Sequence, residues 1–167
     1  MVLHYTIREV AALLLNRGAD INVIGGKYRT ALGCAAFGGG LGLAALLRYQ
    51  GVDINNGDES GTALGCTALS GNLAVAALLL DRGADINAIG GKYGTALGCA
   101  AYGGKLEVAA LLLDRGADVN VPIGGQYGNI LVIALVRQHL DIAKLLIQKG
   151  ADVKLVAGDD GLALSVD

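Results

Sequence analysis

The sequence predicts an all-α solenoid built from helix-turn-helix units joined by short hairpin-like fingers, and three observations predict it. The triplet Gly-Ala/Val-Asp returns at Gly18, Gly51, Gly83, Gly116 and Gly150, a spacing of about 33 residues that belongs to stacked repeat architectures. Between triplets lie two short apolar segments separated by turn residues, the pattern of two short helices packed on each other. Joining one pair to the next is a stretch of the form Asp-Ile-Asn-x-Ile-Gly-Gly-Lys-Tyr-Gly, too rich in glycine for a helix and short enough for an extended finger. Units of this kind touch only their neighbours, so the 167 residues need no single central core.

The chain starts in mid-repeat. Residues 1–17 are a half-unit whose helix, Thr6 to Asn16, is apolar over most of its circumference and ends at Arg17 and Gly18. A cation in the last turn followed by a glycine able to adopt the left-handed conformation is a helix stop. Full units follow at about 18–50, 51–82, 83–115 and 116–149, and a partial unit at 150–167. Their first helices are expected at Thr30 to Phe37, Thr62 to Leu69, Thr95 to Tyr102 and Asn129 to Val136. Each opens on Thr or Asn, whose side-chain oxygen accepts from the unpaired N–H groups of the first turn. The second helices are expected at Leu41 to Tyr49, Leu73 to Asp81, Leu106 to Asp114 and Leu140 to Gln148. The fourth unit, with Asn129-Ile130-Leu131-Val132-Ile133, is the most apolar and the most divergent.

Composition excludes several classes. Hydrophobic residues make up 53% of the chain and mean hydropathy is +0.52, which raises the question of a membrane span. The charge-free runs Thr30 to Leu47 and Gly61 to Leu80 are each broken by turn residues, and the third unit carries Lys105 and Glu107 at the equivalent place. A net charge of −2 with scattered lysines and arginines gives no footprint for nucleic acid. The opening MVLHYTIREV lacks the pattern of a secretory leader, and three cysteines, an odd number, fit a reducing compartment. The expected location is cytoplasmic.

The runs Thr-Ala-Leu-Gly-Cys-Ala and Ala-Ala-Leu-Leu-Leu-Asp-Arg-Gly-Ala-Asp-Ile/Val-Asn resemble the ankyrin repeat over essentially the whole chain. The Gly-Gly-x-Tyr-Gly-Thr-Ala-Leu variant is similar to repeats of fungal arrays attached to NACHT-type signalling domains. One departure is consistent: where the family has Thr-Pro-Leu-His, this chain has Thr-Ala-Leu-Gly at Thr30, Thr62 and Thr95. Gly33, Gly65 and Gly98 thus sit inside helices, each at a cost of about 1 kcal/mol against alanine. They are expected to permit closer approach of neighbouring helices.

Residue ladders that imitate active sites have simpler readings. Cys34, Cys66 and Cys99 occupy one position in successive units, about 8 to 10 Å apart if helices stack, too far for a disulfide or a shared zinc ion. They read as small buried side chains. Gly25-Gly26, Gly90-Gly91 and Gly124-Gly125 lack the Gly-Lys-Ser/Thr of a phosphate loop. Asp20, Asp53, Asp85, Asp118 and Asp152 are too far apart for acid/base work and are expected to bond backbone at the start of each finger. Tyr28, Tyr93 and Tyr127 are expected to stack between fingers, and His139 falls where the resemblance implies a structural turn histidine. No residue set supports catalysis, and no cofactor or metal is expected.

What remains is surface. The resemblance implies that a partner protein meets the finger tips and the exposed side of the first helices. Position by position this gives Ile24, Ile89 and Ile123 at the tips, with Lys27, Lys92 and Gln126 beside them, and Phe37, Leu69, Tyr102 and Val136 on the helices. That row is either an apolar contact stripe or packing against the adjacent finger. The second finger is one residue shorter and carries Asp58 and Glu59 in place of Lys and Tyr, an acidic notch that fits either recognition or drift. The half-units at both ends would expose Val10, Leu13, Leu14, Leu162 and Leu164, as in a segment of a longer array or a molecule that stacks head to tail. The function expected is a non-catalytic protein-binding scaffold within a larger signalling protein, with a self-associating spacer as the alternative.

Overall fold

The computed structural model describes residues 13, 16–23, 30–37, 51–56, 61–123 and 127–153. Among them are seven helices: α1 (Ala31–Phe37), α2 (Ala63–Ser70), α3 (Leu73–Asp81), α4 (Ala96–Gly103), α5 (Leu106–Asp114), α6 (Ile130–Val136) and α7 (Leu140–Gln148). Most of the helix expected at Thr6 to Asn16, the helix at Leu41 to Tyr49, the tyrosine at Tyr28 and the C-terminal half-unit lie outside the described residues, as does the side chain of Cys34.

The first helices begin one residue later than expected because Thr30, Thr62, Thr95 and Asn129 are caps and not first-turn residues. Their side-chain oxygens accept the N–H of Gly33, Gly65, Gly98 and Val132 at 2.9, 3.0, 3.3 and 2.8 Å. The second helices α3, α5 and α7 have the expected limits. Asn72 caps α3 by accepting from the Val75 N–H, whereas Lys105 and His139 make no side-chain cap and are followed by Glu107 and Asp141 in the first turn. Negative charge there complements the helix dipole. The turn within each pair passes through a left-handed residue, Gly71 (φ 85°), Gly104 (φ 68°) and, in the fourth unit, Gln138 (φ 60°).

The inner helices α1, α2, α4 and α6 pack in sequence against one another, and α3, α5 and α7 form a second, looser row behind them. The core is the seam between the rows. Leu64 and Leu97 from the inner helices and Leu79, Leu112 and Leu146 from the outer ones are fully buried. Each such leucine contributes roughly 1.5 to 3 kcal/mol by leaving water. Cys66 and Cys99 are buried, Cys99 facing Gly65 of the preceding unit, and burial, followed by the nearby Cys66, pushes the Cys99 thiol up to about 12.

Two hydrogen-bonded and ionic ladders tie unit to unit. Each finger aspartate accepts the N–H two residues on: Asp20 from Asn22, Asp53 from Asn55, Asp85 from Asn87 and Asp118 from Asn120, at 2.9, 3.1, 3.0 and 2.8 Å. The asparagine so placed then accepts the aspartate N–H of the next unit. These rungs run from Asp53 to Asn22, Asp85 to Asn55, Asp118 to Asn87 and Asp152 to Asn120, at 2.9, 2.7, 2.9 and 2.8 Å. A net value of about 1 kcal/mol per rung is the ordinary worth of such a bond. On the outer row Arg115 pairs with Asp81 and Lys149 with Asp114, both at 2.9 Å and both exposed, so each is worth about 0.2 to 1 kcal/mol.

Candidate protein-binding groove

The finger of the third unit shows how the inner face is assembled. Residues 88–94 leave the Asn87 rung, reverse through Gly90 and Gly91, and close with the Gly90 N–H donating to the Gly94 carbonyl at 2.8 Å. The closed finger lays Tyr93 back along α4. Its ring stacks on Tyr102 with centroids 3.8 Å apart and planes 20° from parallel. Tyr93 therefore stacks on the helix of its own unit and not, as expected from its recurrence, on a neighbouring finger. The cause is local: Tyr93 precedes the Thr95 cap closely enough that its side chain runs down the helix face.

That path also explains the glycine in place of the family's histidine. A Cβ on Gly98 would overlap the carbonyl oxygen of Tyr93, so glycine there admits the unit's own finger backbone. The second unit has a shorter finger with no tyrosine, and part of that finger lies outside the described residues. A Cβ on Gly65 would sit 3.4 Å from Cys99 Sγ and from Thr62 Oγ1, an ordinary contact distance. The closer approach of neighbouring helices expected of these glycines is not what Gly98 serves.

A cation covers the outer side of the aromatic pair. The Arg137 guanidinium, from the turn after α6, lies 4.3 Å from the Tyr102 ring centroid, while Lys92 Nζ is 5.8 Å from that of Tyr93, near the limit of such contacts. Burial and then a hydrogen bond to Tyr102 push the Tyr93 hydroxyl upward. That same bond, and next the Arg137 charge, draw Tyr102 below its ordinary value.

The described residues expected to meet a partner divide into three groups. Phe37 (41% exposed) and Val136 (57%) close their helices facing outward, and Leu69 and Tyr102, at the equivalent positions, are half-buried against the core. These four form one row because the units stack in register. Ile89 (66%) and Lys92 stand exposed on the third finger. Ile123 is a correction: it is 4% exposed and packs on Gly94, where a Cβ would overlap its side chain. The fourth finger is one residue longer than the third through Pro122, and the added residue turns Ile123 inward onto the preceding unit. Ile24, Lys27, Asp58, Glu59 and Gln126 lie outside the described residues.

Sequence reasoning missed the asparagine rungs, although Asn22, Asn55, Asn87 and Asn120 recur as regularly as the aspartates beside them. It also missed Arg137, which is unique to the fourth unit. His139 has the structural role expected: its ring covers Gly104, where a Cβ would come within 2.6 Å of it. Among the described residues there is no cluster of metal-ligating side chains and no helix long and apolar enough to cross a membrane.

Capped helix pairs, a third finger folded on its inner helix and asparagine rungs between units define a helical repeat solenoid that presents one inner face. The chain belongs to the ankyrin repeat family: the family model for ankyrin repeats (3 copies) matches residues 2–90 and 88–157. Arrays of this family generally serve as protein–protein interaction modules and are typically non-catalytic. No curated protein matches the chain.

Proposed function

We propose that the chain is a recognition segment of a larger, cytoplasmic signalling protein, acting as a non-catalytic scaffold that binds another protein through its inner face. The observation that carries this reading is the row Phe37, Leu69, Tyr102 and Val136. Four equivalent positions hold four different side chains, all at least partly exposed, on units joined by the same asparagine rungs. Exposed apolar side chains aligned at one edge of a rigid array are the composition of an interface core. The exposed finger residues Ile89 and Lys92 extend the same surface.

Replacing Phe37, Tyr102 and Val136 together by serine tests the proposal. Proteins cross-linked to the wild-type chain in a cell extract should disappear with the triple variant, while its circular-dichroism spectrum keeps the wild-type helix content and its melt falls only by what the lost Tyr102 stack on Tyr93 contributes. Recovery of the same proteins by both chains would refute the groove. Light scattering on the same samples addresses the alternative of a self-associating spacer, which requires mass to rise with concentration.

A further inference from the structure

The inner face of the third and fourth units is cationic in a protein whose net charge is −2. Helices α1, α2, α4 and α6 contain no charged residue, so the character of the face is set by the segments that border it. Lys92 borders it from the finger and Arg137 from the turn after α6, and both are exposed. Lys105 lies in the equivalent turn one unit earlier, with its methylenes across Gly71.

The described carboxylates are committed elsewhere. The ladder aspartates bond backbone at the finger bases, Asp81 and Asp114 pair with Arg115 and Lys149 on the outer row, and Glu107 and Asp141 stand in the first turns of outer helices.

Arg137 is the centre of this region. Its guanidinium is held against Tyr102 and makes no ion pair among the described residues. A guanidinium lying on a ring loses water from one face and keeps its edge donors in a fixed plane, which suits a carboxylate arriving from the side. Val136 lies next to it, exposed, and the Tyr102 ring is half-buried below. One anion site thus adjoins one apolar site.

On the reading that the inner face binds a protein, we propose that the Tyr102–Arg137 end of the groove takes an acidic peptide segment, with an Asp or Glu carboxylate on Arg137 and an adjacent apolar side chain against Val136 and Tyr102. Charge complementarity selects this occupant over a basic or purely apolar one. The attraction is exposed to solvent, so it weakens with salt and contributes more to encounter and choice of partner than to bulk affinity.

A random peptide library displayed on phage and selected on the intact chain at low salt supplies the probe, and the enriched peptides are then titrated as fluorescent synthetics. Peptides pairing Asp or Glu with an apolar residue are expected. Their affinity should fall roughly fivefold in Arg137→Ala, the size of an exposed ion pair, and further in Arg137→Glu. Arg137 is exposed, so melts of these variants should match the wild type. Enriched peptides without acidic residues, lost in Val136→Ser but indifferent to Arg137→Glu and to salt, would overturn the acidic specificity and leave the groove standing. Peptides that bind Val136→Ser and Tyr102→Ser as well as wild type, or no enrichment at all, would overturn the groove and this inference together.

Discussion

The asparagine rungs and the inner-helix row are both ladders of equivalent positions, and they differ in one respect. At the rungs the same residue does the same thing in each unit: Asn22, Asn55, Asn87 and Asn120 each accept the aspartate N–H of the unit that follows. Along the inner face the side chain changes at every step, from Phe37 through Leu69 and Tyr102 to Val136. Invariance within the chain marks positions whose partner is the next copy of the same unit. Variation marks positions whose partner, if they have one, is not a copy of the unit at all. On the proposed reading, the difference separates scaffold from recognition.

If the glycine inside each inner helix belonged wholly to the scaffold, all copies would respond alike to substitution. They should not. Gly98→Ala is expected to destabilise the chain by about 1 to 3 kcal/mol, because its Cβ meets the Tyr93 carbonyl and overpacking of a dense interior costs that much. Gly65→Ala should cost less, since among the described residues its Cβ finds only ordinary contacts and alanine favours the helix. Chemical denaturation of both variants reads the contrast; equal losses would return both glycines to the scaffold.

The buried thiols sharpen the same distinction from the scaffold side. Cys99 is pushed up from the usual value near 9 to about 12, so the folded chain holds the proton that the unfolded chain releases. This contribution is fully present below about pH 9 and is lost as pH rises toward about 12. Thermal melts at pH 8 and pH 10 should show the decline, and Cys99→Ala should reduce it. Tyr93, raised as well, leaves a residual slope in the variant. An unchanged slope would mean that Cys99 is not sealed between the units.

A single rung gives the smallest effect. Asn87→Ala removes the acceptor of the Asp118 N–H at an exposed site, where water substitutes in part, and about 0.5 to 1.5 kcal/mol is expected in the same denaturation measurement. The inner face should be untouched, with peptide affinity at Arg137 unchanged. Loss of that affinity would show that the rungs shape the groove as well as hold the stack.

Much of this was legible in the sequence because repetition multiplies a weak local signal. Three outer helices have the limits that the apolar pattern predicts; the inner ones start one residue later, and two of them, ending at Ser70 and Gly103, also run one residue further. The finger aspartates bond backbone as their isolation implies. What escaped lies where direction, not identity, decides. An asparagine beside an aspartate reads as a turn residue until the next unit is in place to donate to it. Tyr93 gives no sign in sequence of whether it reaches sideways to another finger or down its own helix. Ile123 aligns with an exposed isoleucine, and only the consequence of the extra Pro122 distinguishes them.

Ile123 seated over Gly94 also limits how freely the units can be exchanged. A fourth unit placed after a unit with any larger residue at that position would clash. The third and fourth units are therefore matched at this seam, and a unit placed before the fourth needs a glycine where Gly94 stands, as the second has in Gly61. Duplication, deletion or recombination of units within this array is constrained by such seams, and a graft that preserves the repeat length but breaks the pairing of finger and glycine will misassemble at that joint.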